Sequence, residues 1–175
     1  MNSTVEHTVV PDVLDDLLGI APGSHLRQVR HARDKVVAAT QGSHALFFNA
    51  QLQDGLPLNE RLLVAYYTSR LTPNELLTGY YLEQLQALNI DQALLAQIDA
   101  DALASLGAPR LQAVLGFTRT LILSPVEGDQ QALQVLQQAG LSTAEIVVLA
   151  QLIAFLSYQV RLAAGLSALS SAGVA

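Results

Sequence analysis

Apolar residues recur along this chain at intervals of three and four, and no segment sustains the one-in-two alternation of a half-buried strand. Val13, Leu14, Leu17 and Leu18 predict a short helix over residues 11–18, closed by Gly19 and the Pro22-Gly23 pair. Ser24 is placed to cap a second helix reaching about Thr40, with Gly42 and Ser43 breaking and recapping the chain before a helical piece over 44–52. Asp54-Gly55 reads as a turn, and Asn59 as the cap of a helix through Arg70 with Leu62, Leu63, Tyr66 and Tyr67 on one broad face. Pro73 suits the first position of the next helix, which runs to about Leu88. Asp91 opens a short helix to Ile98, and a further turn follows over 100–106. Residues 109–123 and 129–139 predict two more helices, stopped by Pro125 and Gly140. Ser142 and Glu145 have capping-box spacing and open a final helix to about Leu169, followed by a frayed tail. The expectation is an all-α, compact multi-helix bundle.

Composition narrows what such a bundle can be. At 175 residues the chain suits one domain. Residues 1–55 read as an N-terminal helical extension packed on a core over 56–169, with 170–175 as tail. There is no cysteine, which excludes disulfides, zinc-thiolate and iron–sulfur centres and every thiol mechanism. The formal charge of −6 speaks against nucleic acid, whose binders carry a basic face. Only 14% of residues are charged and 51% are apolar, where ordinary chains are ~25% charged. That excess points to buried subunit contacts. A membrane is not expected: the most apolar run, 146–156, is too short to span ~30 Å of hydrocarbon, and Ser157, Gln159 and Arg161 follow it. The N-terminus lacks the apolar region of a signal peptide, so the expected location is cytoplasmic.

Candidate chemistry is sparse. His7, His25, His31 and His44 show no metal-ligand spacing and read as surface or capping residues. Arg27, Arg30, His31 and Arg33, with Lys35, form the one basic cluster; it reads as a solvated face or as salt bridges across a subunit contact, ahead of an anion site. Tyr66-Tyr67 and Tyr80-Tyr81 lie on adjacent helices, where one member of each pair could face the other; packing with satisfied hydroxyls outweighs catalysis. No phosphate-binding glycine loop and no nucleophile elbow occur. Neither a cofactor nor a metal is called for.

The run from Leu56 to Ala65 (Leu-Pro-Leu-Asn-Glu-Arg-Leu-Leu-Val-Ala), with Ser69, resembles the peroxidase-related branch of the alkylhydroperoxidase D-like, carboxymuconolactone decarboxylase (CMD) superfamily. Pro109-Arg110 with the segment 113–117, the run 139–142 with Glu145-Ile146, and Val160-Arg161-Leu162-Ala163 with Gly165-Leu166 extend the resemblance colinearly over about 56–169. The N-terminal part resembles a subgroup of CMD-domain proteins described as the partner half of an alkylhydroperoxidase-domain protein. The resemblance implies an alkylhydroperoxidase D-like bundle with extra N-terminal helices. It also implies a site in which a glutamate, two cysteines in CxxC spacing and a histidine reduce peroxides; a CxxC at a helix N-terminus has a depressed thiol pKa. Aligned without a gap, the glutamate falls on Leu62, the cysteines on Asn74 and Leu77, and the histidine on Tyr81. All four are changed, so the family's thiol route is closed.

Three readings remain. The first is a degenerate homologue kept as an assembly or interaction module, a homo-oligomer (a dimer or a multiple of one) or the companion of a cysteine-bearing CMD-family protein. The second is a cysteine-independent enzyme acting on a lactone or related carboxylated small molecule, with Glu60, Tyr66, Tyr80, Tyr81 and Arg161 as candidate residues. The third is a binding protein whose vestigial pocket, lined by Leu62 and Leu77, holds an apolar ligand. Arg161 sits among apolar neighbours and must be paired or reach solvent; Glu60 or a carbonyl at a subunit contact is the expected partner.

Overall fold

Short polar side chains set where most of the helices begin. The computed structural model describes residues 12–52 and 55–172, and these contain nine α-helices, two 3-10 turns and no strand. The helices are α1 (Val13–Leu17), α2 (His25–His31), α3 (Asp34–Phe47), α4 (Leu58–Leu71), α5 (Glu75–Ala87), α6 (Gln92–Asp99), α7 (Pro109–Leu123), α8 (Gln130–Gln138) and α9 (Thr143–Ser171). The side chains of Asp12, Ser24, Asn74, Asp91, Asp129 and Ser142 each accept a backbone N–H at the start of a helix. Each such cap is worth ~1 kcal/mol against alanine. At Ser142 the capping box is complete, with Glu145 accepting the Ser142 N–H at 2.7 Å. The fold is all-α, as the periodicity predicts. His7, Pro11, Asp54 and the last three residues lie outside the described part.

Three boundaries differ from the sequence reading. The predicted helix to Thr40 is two helices, broken at Ala32–Arg33, and α3 then runs straight through Gly42 and Ser43. The Ser43 hydroxyl donates back to the Ala39 carbonyl at 2.8 Å, inside the helix, and caps nothing. A lone helical glycine costs only ~1 kcal/mol and does not end a segment held by its neighbours. Pro57, not Asn59, occupies the cap position of α4. Pro73 stands one residue ahead of the α5 cap, Asn74, and is not the first helical residue.

Helix α4 is the axis of the bundle, packed by α5, α7 and α9. Every residue from 61 to 69 is buried, where the sequence suggests one broad buried face. Burying each large apolar side chain contributes ~1.5–3 kcal/mol, and Leu63, Tyr67, Leu77, Leu85, Leu115, Leu149 and Leu156 all lie in this one cluster. Arg61 is buried with them. Its guanidinium donates to the carbonyls of Leu56 at 2.8 Å, Asn49 at 3.1 Å and Phe47, with no carboxylate among these contacts. Burial lowers its pKa from the usual arginine value.

The N-terminal helices close over one side of the bundle. Leu14 of α1 enters the main core, while Ile20 and Leu26 pack on Leu166 of α9. The Thr40 and Tyr158 hydroxyls meet at 3.0 Å and His44 packs on Phe155, so α3 runs antiparallel to α9. By length and composition α9 could cross a membrane, but half of its most apolar window is buried inside the protein. Leu149, Leu152, Ile153, Leu156, Val160 and Ala163 supply that buried side.

Candidate functional site

The four positions that the resemblance would assign to a redox site lie on α4 and α5, and there they are structural. Asn74 caps α5, its side-chain oxygen accepting the Leu77 N–H at 3.0 Å. Leu77 and Tyr81 follow one and two turns on, on the same face, and both are fully buried, as is Leu62 on α4 for all but 4% of its surface. The Tyr81 hydroxyl donates to Gln159 Oε1 at 2.5 Å, across to α9. Burial pushes the Tyr81 pKa well above 10, and neighbouring Tyr80 adds to the shift. This phenol is a satisfied core hydroxyl.

Beside it stands an imidazole that the sequence reading puts on the surface. His44, on α3, is buried against the rings of Phe48, Tyr80 and Phe155, with centroids 4.9, 5.8 and 6.4 Å away. Its Nε2 lies 3.4 Å from the Tyr80 hydroxyl. Burial drops the His44 pKa to about 4, against a smaller upward pull from Asp12. The ring is therefore neutral at pH 7, next to a tyrosine whose own pKa burial has raised. His44 and Gln159 are the residues missed at this place. Gln159 carried a signal, a lone amide inside the apolar run of α9; His44 carried none, since its aromatic neighbours Tyr80 and Phe155 are far away in sequence.

The other candidates hold separate partners. Arg110 grips both oxygens of Glu60, Nε to Oε1 at 2.9 Å and Nη2 to Oε2 at 3.2 Å, and its Nη2 also reaches Glu145 at 2.6 Å. This cluster ties α4, α7 and α9 together. Arg161 does not meet Glu60: it is exposed and donates to the Ser157 carbonyl of its own helix at 2.7 Å. Tyr66 donates to Asp99 at 2.7 Å, and burial with that bond pushes its pKa up to about 12. Tyr67 donates to Asp101, a bond that holds the Asp101 carboxyl below the usual range, helped by Arg119 at 3.1 Å. The tyrosine hydroxyls thus turn to α3, α9 and the end of α6, not to one another.

Three members of the basic cluster, Arg27, Arg30 and His31, find their acids on α1 and at its cap. The buried Asp15 carboxylate meets Arg27 at 2.8 Å, His31 at 2.6 Å and Arg30; Asp12 takes Arg30 as well, at 3.0 Å. Burial works to lower the Arg30 pKa, and the hydrogen bonds and charges of Asp12 and Asp15 outweigh it. Among the described residues Arg33 has no ion pair, and no group of three or more His, Asp or Glu could hold a metal. Compared with protein-family models and with curated proteins, the chain matches none.

The chemistry open to this constellation is narrow. Tyr66, Tyr80 and Tyr81 are all held protonated far above neutral pH, Glu60 is clamped, and His44 is a weak base in an aromatic wall. The described open cavity lies elsewhere, between α2, α3 and α9.

Proposed function

We propose that this chain is a thiol-free protein of the alkylhydroperoxidase D-like kind, kept as an assembly or interaction module in the cytoplasm. One observation carries the reading. Where the resemblance expects a glutamate, two cysteines and a histidine, the chain has a helix cap and three core side chains, Asn74, Leu62, Leu77 and Tyr81. A fold retained while its reacting groups are absorbed into the core is retained for its surface. That surface favours contact: Val126 is 91% exposed, and Leu46, Val135 and Val147 are each half exposed or more. A homo-oligomer, or a complex with a cysteine-bearing relative, would cover them. We read α9 as a core helix of this module and not as a membrane span, on the strength of its buried half.

The lactone-enzyme reading draws no comparable support, because Glu60, Tyr66, Tyr80, Tyr81 and Arg161 face different partners. Light scattering on the full chain at micromolar concentration tests the assembly reading. The expected result is a dimer or a multiple of it, alone or once a cysteine-bearing relative is added. A monodisperse monomer in both samples overturns it.

A further inference from the structure

Helices α2 and α3 do not close fully on α9. Between them lies a groove of about 540 Å³, within the ~300–1,000 Å³ typical of small-molecule sites. Its walls are aliphatic: Leu26, Val36 and Val37 on one side, Leu162, Leu166 and Leu169 on the other. Val36 is 53% exposed and Leu169 45%, so the rim of this apolar surface faces solvent, while Leu26 and Leu166 form its buried floor. Along α3, Val36, Val37 and Thr40 follow Arg33 at three, four and seven residues, one face of the helix, so Arg33 and Thr40 stand ~10 Å apart along it.

The polar groups of the groove sit apart from one another. At one end the hydroxyls of Thr40 and Tyr158 satisfy each other at 3.0 Å. Arg30 contributes its stem, its head being spent on Asp12 and Asp15. Arg33 stands in the α2–α3 break, exposed, with no ion pair among the described residues. No acidic residue lines the groove. In a chain of net charge −6 the charged residues that line the groove are both arginines, and Arg33 is the one whose head is not spent on an acid among the described residues. The chemistry that matches is one negative head on an unbranched apolar tail.

We propose that the groove binds an aliphatic carboxylate, its chain along Val36, Leu162 and Leu166 and its carboxylate on Arg33. This goes beyond the assembly reading and needs neither an oligomer nor a partner. A guanidinium binds a planar carboxylate through paired N–H donors to two charged oxygens, whereas an alcohol of equal chain length offers one neutral acceptor and a quaternary ammonium offers none.

The test is calorimetric titration of the full chain with decanoate, 1-decanol and decyltrimethylammonium. One-to-one binding of decanoate is expected, at least about fivefold tighter than either control, the upper range for an exposed ion pair. Arg33→Gln should erase that preference while leaving the binding of decanol unchanged. Val36→Asp, at an exposed position that the fold does not depend on, should abolish binding with an unchanged circular dichroism spectrum. Equal affinity for the three probes, binding that survives Val36→Asp, or no heat up to millimolar decanoate would each overturn the proposal. So would loss of an oligomer in Val36→Asp without any decanoate binding by the wild type, which would make a second copy of the chain the occupant.

Discussion

Acid should find this protein's weak point at His44. Its pKa is about 4 in the folded chain, against 6.5 for an unperturbed histidine. The unfolded chain therefore binds the proton more tightly, and stability must rise with pH through the window between those values. The contribution is fully present above about pH 6.5, declines as pH falls, and is entirely lost below about 4. The shift corresponds to ~3 kcal/mol in full, and to ~2 kcal/mol between about pH 7.5 and pH 5. The physical origin is the aromatic wall of Phe48, Tyr80 and Phe155, which cannot solvate an imidazolium. Carboxylates elsewhere also titrate, so the informative quantity is the difference between wild type and His44→Phe, a ring that suits the same surroundings. Urea unfolding at the two pH values measures it. The wild type should lose ~2 kcal/mol more than the variant, about 1 M in midpoint for a slope of ~2 kcal/mol/M. Equal losses in the two proteins would refute the burial argument.

Three further outcomes follow from the ion pairs and the core phenol. Asp15→Asn leaves Arg27 and His31 around a neutral amide and Arg30 with Asp12 alone; it should cost ~3 kcal/mol and lower the melting temperature by ~6–12 °C, and a change under ~2 °C would count against the cluster as a clasp for α1 and α2. Tyr81→Phe leaves the buried Gln159 amide without its donor; a loss of ~1–2 kcal/mol is expected by chemical denaturation. Arg110→Ala releases Glu60 and Glu145 at a partly exposed site; ~1 kcal/mol should be lost, and most of that difference should vanish in high salt.

The helix starts were legible because a cap is local. Ser24 and Ser142, read as caps, each hold the amide three residues on, and Asp91 and Asp129, read as helix openings, hold amides two or three residues on; Asn59, also read as a cap, lies inside α4. The break at Ala32–Arg33 was not legible, since no glycine or proline marks it; there Arg30 and His31 at the end of α2 are anchored to acids on α1 and at its cap. The same limit explains the candidate site. The alignment that the resemblance suggests rests on Leu56, Pro57 and Ser69, but that Leu77 and Tyr81 are fully covered depends on α4 packing on α5 and on Gln159 of α9 meeting Tyr81. Arg161 reaches solvent, one of the two outcomes its apolar neighbours allow, but without the partner expected for it at Glu60: in a helix buried on one side, position 161 turns outward.

The guanidinium of Arg61 has a consequence for how the chain could vary. Because it holds the carbonyls of Phe47, Asn49 and Leu56 at once, both ends of the α3–α4 connection are pinned to the middle of the bundle. A lysine, with one ammonium in place of a planar fork, could not hold three carbonyls in those directions. The end of α3 and the start of α4 thus share one cation, so a change at position 61 is felt on both helices at once.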